Sequence, residues 1–180
     1  MFRKSLAAVS LFAILACPAS AAASDHQSAR ALHGHLLSAH DFEQLTDLYT
    51  RLIDAENRHD IAAVKPLFWV SPDALFVAKT ATAAEGNWAG FWGTDVVLRH
   101  LDELYKAGPF RIDPAYDKEK IVPLSRDVAE TYVPVSITVA YAGQTATPKP
   151  FLMILEWVRT TNGWRVATDI ALPIPPAPRD

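Results

Sequence analysis

Between Asp41 and Asn57 the apolar residues Phe42, Leu45, Leu48, Tyr49, Leu52 and Ile53 recur at steps of three and four. That spacing lines them up on one stripe of an amphipathic helix. Asp41 is the expected N-cap, with Glu43 in the first turn, and Asp54 and Arg58 are spaced as a solvent-facing pair. Asp60 is placed to cap a short second helix carrying Ile61, Val64, Leu67 and Phe68, whose regularity Pro66 limits. Ser71-Pro72-Asp73 predicts a turn, 74–79 a first strand, and 87–93 a loop dense in tryptophan and glycine. Thr94 is the expected cap of a third helix that buries Val97, Leu98, Leu101, Leu104 and Tyr105 and ends at Gly108-Pro109.

From Phe110 the helical period disappears. Strands are predicted over 110–122, 127–141, 148–160 and 163–171. In the second, Thr131, Val133, Val135, Ile137, Val139 and Tyr141 alternate with Tyr132, Ser136 and Thr138, the pattern of a half-buried strand. Residues 151–158 are apolar on both faces except Glu156, which suits a central strand. Asn162-Gly163 predicts a tight hairpin, since both residues tolerate positive φ. Pro173 to Pro178 cannot donate to a ladder and reads as an extended tail. Helices followed by a run of long strands define an α+β class: a strongly curved antiparallel sheet wrapped around N-terminal helices.

The ends change this picture. Arg3-Lys4, an apolar run from Leu6 to Ala16 and the small residues Ala19-Ser20-Ala21 form the three parts of a secretory signal, with Ala21-Ala22-Ala23 as a second cleavage site. The run is shorter than the ~20 residues of a membrane span. The expectation is therefore a signal peptide over 1–21, a flexible lead-in over 22–40, one domain over 41–172 and a Pro-rich tail over 173–180, in a periplasmic or secreted protein without an integral membrane span. A rival reading lipidates Cys17, which follows Ile14-Leu15-Ala16.

Cys17 is the only cysteine, so cleavage after Ala21 leaves a chain without disulfide, thiolate nucleophile or cysteine-bound metal. Of the 17 basic residues the signal holds Arg3 and Lys4, which leaves 15 against 20 acidic ones. A mildly acidic surface with no basic stripe excludes nucleic acid as the expected partner. His26, His33, His35 and His40 cluster in the lead-in without a carboxylate at ligand spacing, so no metal is expected there. There is no Gly-x-Ser-x-Gly elbow, phosphate-cradling glycine loop or dinucleotide fingerprint, and no cofactor is expected.

The order of elements over 41–172 resembles the nuclear transport factor 2-like superfamily, which includes SnoaL-like cyclases and ketosteroid isomerases. The resemblance is carried by Asp54-Ala55-Glu56-Asn57-Arg58-His59-Asp60, by Leu67-Phe68 and Pro72-Asp73-Ala74, and by Trp92-Gly93-Thr94-Asp95-Val96-Val97. Residues 151–157 and Asn162-Gly163-Trp164-Arg165-Val166 complete it. It implies a cystatin-like cone with an apolar pocket at its open end, a small hydrophobic ligand and a homodimer through the outer sheet face. It does not extend to steroid-isomerase chemistry: Leu52 stands at the place of that enzyme's tyrosine, with Tyr49 one turn earlier, and Ala78 near the place of its basic aspartate.

Such a pocket draws on Tyr49, Trp69, Trp88, Trp92, Tyr132 and Trp157, each of which is otherwise ordinary core. Charges inside apolar strands carry more information, because burying one costs stability unless it is paired or used. Glu156 and Asp169 are such charges. A two-residue loop at Asn162-Gly163 would set them opposite each other as a general acid–base pair. The alternative puts both on the wetter outer face with Arg111, Arg159 or Arg165. His59, at a helix end, reads as structural, and His100 as a surface or boundary residue. Three functions remain open at this level: a binding domain for a small apolar or aromatic molecule, a cofactor-free lyase, cyclase or isomerase, and an envelope interaction module. A carboxylate of raised pKa in the pocket favours the second, a dry aromatic pocket the first, and a filled cone with an exposed apolar patch the third.

Overall fold

A computed structural model describes residues 36–78, 90–140 and 145–174. The signal segment, Cys17, His26, His33, His35, Trp88, Tyr141 and the tail beyond Ile174 lie outside the described residues.

Helix α1 (Ala39–Asn57) begins two residues before the apolar pattern does. Its N-cap is Ser38, and Asp41 occupies the third helical position of a capping box: Asp41 N–H donates to Ser38 Oγ at 3.2 Å, and Ser38 N–H donates to Asp41 Oδ2 at 2.9 Å. Asp41 is therefore not the cap itself. Asp60 does cap the short α2 (Ile61–Val64), which tightens into a 3₁₀ turn at Lys65–Leu67 where Pro66 stands. Strands β1 (Leu75–Ala78) and β2 (Phe91–Trp92) precede α3 (Thr94–Ala107), whose N-cap is Gly93. The Thr94 hydroxyl leaves its own helix, donating to Trp69 O at 2.6 Å and accepting from Ser71 N–H at 2.9 Å. It fastens the preceding turn instead of capping.

Strands β3 (Phe110–Pro114), β4 (Lys120–Pro123), β5 (Val128–Val139), β6 (Lys149–Thr160) and β7 (Gly163–Pro173) complete the chain. The single strand expected over 110–122 is broken by a 3₁₀ turn at Tyr116–Lys118 after Pro114. Its two halves pair with successive stretches of the longer β5. The sheet order is β2-β1-β7-β6-β5-β3, with β4 on the same edge as β3. The sheet is curved and does not close. It is mixed, not purely antiparallel, because β1 runs parallel to β7.

Strict alternation divides β5 and β6. Ala129, Thr131, Val133, Val135 and Ile137, together with Phe151, Met153, Leu155 and Trp157, face the helices and are buried. Against them pack Leu45, Tyr49, Leu52 and Ile53 of α1, Val64 and Phe68, and Val97 and Leu101 of α3. Two polar fastenings fix α1 over this surface. At its start, Asp41 Oδ1 accepts from Arg159 Nη2 at 2.7 Å and from the indole N–H of Trp164 at 3.4 Å. At its end, the Asn57 amide brackets Ile112, donating to its C=O at 2.8 Å and accepting from its N–H at 2.7 Å.

The β6–β7 hairpin departs from the expected register. The turn is Thr161-Asn162, closed by Thr160 opposite Gly163, and not Asn162-Gly163. Gly163 takes φ 92°, which an L side chain disfavours. Further along, Trp157 faces Val166 but Glu156 faces Thr168, so Ala167 is an extra residue on β7. Val166 and Ala167 are consecutively buried, the mark of a β-bulge.

Candidate functional site

Past the bulge, Asp169 turns inward and is 1% exposed. Its ladder neighbours are Leu155 on β6 and Phe76 on β1. Glu56, on the last turn of α1, is also 1% exposed and lies within reach of the charge of Asp169. Glu56 continues the stripe of Leu45, Tyr49, Leu52 and Ile53, so the helix that buries these leucines also buries this carboxylate.

Neither acid is satisfied. Glu56 Oε1, both carboxylate oxygens of Asp169 and the Tyr105 hydroxyl are buried without a hydrogen-bond partner among the described residues. Buried polar groups are nearly always hydrogen-bonded, so this concentration marks a special site. Burial drives the Asp169 carboxyl up to about 7. Glu56 is raised well above the usual range by burial and then by the charge of Asp169. Burial, followed by the charges of the same two acids, also raises Tyr49 and Tyr105 far above the normal phenol range. Two acids and two phenols thus form one polar island within the apolar interior. Among the described residues the Tyr49 hydroxyl has only the soft Met153 Sδ as acceptor, at 3.5 Å. Among the described residues no group of three His, Cys, Asp or Glu side chains is placed to hold a metal.

The remaining candidates are scattered. Glu156 lies on the convex face opposite Glu130 and Thr168, so the expected Glu156–Asp169 pair does not form. The extra residue in β7 changes the register, and the two acids point to opposite faces. Tyr132 also stands on the convex face, bonded through its hydroxyl to Glu130, because it alternates with the inward Thr131 and Val133. Trp157 is fully buried and donates its indole N–H to Thr131 Oγ1 at 3.1 Å. Trp69 is half-buried and tied to β7 by its N–H on Val166 O at 2.8 Å. Trp92 is 55% exposed on the edge strand β2. Of the expected residues, Tyr49 and Asp169 are brought together. Glu56 and Tyr105 join them, one missed as a functional residue and the other read only as helix core.

His59 stacks on Tyr105, its ring centroid 5.3 Å away, with Nε2 3.0 Å from Phe110 O. His100 is buried, not at the surface as its place between Arg99 and Leu101 suggested: it stacks on Phe91 at 3.7 Å, and burial lowers its pKa. Two surface grooves of about 300 Å³ lie elsewhere. One runs along Gln44, Asp47, Arg51 and the β6–β7 turn, the other between α2 and α3.

Helices packed against a curved, open sheet define the cystatin-like fold found in nuclear transport factor 2-like proteins. No family model matches the chain and no curated protein matches it significantly. Solved structures do. A nuclear transport factor 2-like superfamily protein from Salmonella enterica serovar Typhimurium superposes with a TM-score of 0.64 at 15% identity, covering 79% of this chain and 96% of its own. A proposed dehydratase of the same family from Streptomyces avermitilis gives 0.61 at 17%, covering 78% and 100%. A proposed aromatic ring hydroxylase from Novosphingobium aromaticivorans gives 0.62 at 16%, covering 78% and 93%. At these identities the likeness establishes the fold.

Proposed function

We propose that this chain is an exported cone domain that acts on a small, largely apolar molecule by proton transfer, as a lyase, cyclase or isomerase without a cofactor. The observation that carries this reading is the pair of fully buried, unsatisfied carboxylates, Glu56 and Asp169, beside the unpartnered Tyr105 hydroxyl. Apolar residues of similar volume would pack there at less cost in stability. A buried pair that shares one proton supplies both an acid and a base at neutral pH. Burial alone raises Asp169, whereas the charge of Asp169 adds to the effect on Glu56. One carboxylate of the pair therefore ionises and serves as base while its partner holds the proton and serves as acid. Tyr105 is the further donor to a developing oxyanion. The dehydratase and hydroxylase proposed for two of the similar structures agree with small-molecule chemistry in such a cone.

The test is solvent deuterium exchange into a panel of small aromatic ketones, followed by NMR with the full chain. Wild type exchanges carbon-bound protons, and D169N slows the exchange about 100-fold or more. Exchange at the wild-type rate in both D169N and E56Q ends this reading. Mass spectrometry of any molecule released on denaturation names the ligand directly.

One further expectation belongs here. The convex face presents Tyr132, Pro134, Leu152, Ile154, Ile170 and Leu172 in one register block, and a homodimer would bury it. No described helix is long and apolar enough to cross a membrane.

A further inference from the structure

The charge around the polar island has one sign. The groups acting on Tyr49 are Asp169, Glu56, Tyr116 and Glu119, and those acting on Tyr105 are Glu56, Asp169 and Asp102. Several of the described cations are committed to other acids. Arg159 is bound to Asp41 and Asp127, Arg111 to Asp113, and Lys106 to Asp102. The His59 ring lies on Tyr105 and Phe110, and His100 lies between Phe76 and Phe91. An anionic ligand would meet the repulsion of two acids. A neutral carbonyl compound could accept from Glu56 or Tyr105, but it would leave the oxygens of Asp169 unpaired.

The unmet demand is for donors. Three buried carboxylate oxygens, on Glu56 and Asp169, lack a partner among the described residues, as does the Tyr105 hydroxyl. An ammonium group carries two or three N–H donors and a positive charge, and charge-assisted bonds to carboxylates are among the strongest available. We propose that the interior between Glu56 and Asp169 is a binding site for a small protonated amine on an apolar body. This inference rests on the same pair being the reactive centre, and it names the class of substrate the pair receives.

Displacement of a proton gives the proposal its own signature. A bound cation favours the ionised pair, so at pH 6 an amine entering the site releases about one proton. A neutral ligand releases none. The experiment is calorimetric titration of the full chain with methylamine, benzylamine, benzyl alcohol and benzoate, in two buffers of different ionisation enthalpy. Benzylamine should bind with proton release, benzoate should not bind, and E56Q and D169N should each weaken benzylamine tenfold or more. Y105F, which removes only the orphan hydroxyl, should weaken it severalfold. Three results overturn the proposal: benzyl alcohol binding as tightly as benzylamine, amine binding without proton release, or benzylamine affinity unchanged in both amide variants. If neither amine binds while deuterium exchange into ketones persists, the cationic ligand is wrong and the acid–base reading stands. If both measurements are silent, both fall.

Discussion

Glu56 on α1 and Asp169 on β7 are both 1% exposed, and the charge of Asp169 raises the carboxyl of Glu56. The pair makes stability depend on pH. An unfolded carboxyl titrates near ~4, whereas folded Asp169 is driven up to about 7. Between these values the folded state holds the extra proton, so stability is full below the lower one and falls as pH rises through the upper. E56Q and D169N remove a titrating group and should flatten this decline. At pH 8 each variant should melt about 3 °C or more above wild type, for a gain of roughly 1 kcal/mol or more. The gap should close by pH 4, as read by calorimetric melting across the series. Variants that melt below wild type at pH 8 would mean the pair is stabilising.

Asp41 carries the opposite dependence. Burial pushes its carboxyl up, but the hydrogen bonds from Ser38, Arg159 and Trp164 outweigh this and hold it well below the usual range. Its contribution is present above ~4 and is lost on acidification. Asp41→Ala removes a capping-box partner and two side-chain acceptor contacts, and should cost about 2–3 kcal/mol at pH 7. Chemical denaturation at pH 7 and pH 2.5 should show that loss shrinking in acid. Arg159 is 34% exposed, so Arg159→Ala should cost only ~1 kcal/mol, less in high salt.

Asn57 satisfies both backbone groups of Ile112, which holds the end of α1 against β3. Asn57→Ala leaves that N–H and C=O unpaired and should cost about 2 kcal/mol. The Ile112 amide proton should become one of the fastest-exchanging in the sheet. An Ile112 amide as protected as in wild type would show that the bracket contributes little.

Proposed export predicts a mature chain beginning at Ala22 or Ser24, after either small-residue site. Intact mass of protein recovered outside the cytoplasm reads this directly. An acylated chain beginning at Cys17 would instead establish the lipid anchor.

Much of this architecture could be read from spacing. The stripe from Leu45 to Ile53, the buried face of α3 through Tyr105 and the alternation of β5 all appear where the pattern put them, because each depends on a local period. Extending the first stripe by three residues reaches Glu56, so the missing acid was also legible. A charged residue at the end of a helix ordinarily reads as solvated. The β6–β7 register was not legible, since a turn shifted by one residue and a bulge leave no mark in polarity. Nor was the role of Thr94. Its hydroxyl serves Trp69 and Ser71, and that closure depends on where the chain returns in space.

The bulge at Ala167 decides more than local shape. Counted from Trp164 in a regular strand, Asp169 would stand on the convex face with Arg165, and Thr168 would enter the interior. The irregular step reverses this parity for the rest of the strand. Its consequence is a coupling between mechanical order and chemistry. A substitution that ironed the strand flat could leave every side chain of the cone unchanged and still turn the Asp169 carboxylate out of the interior.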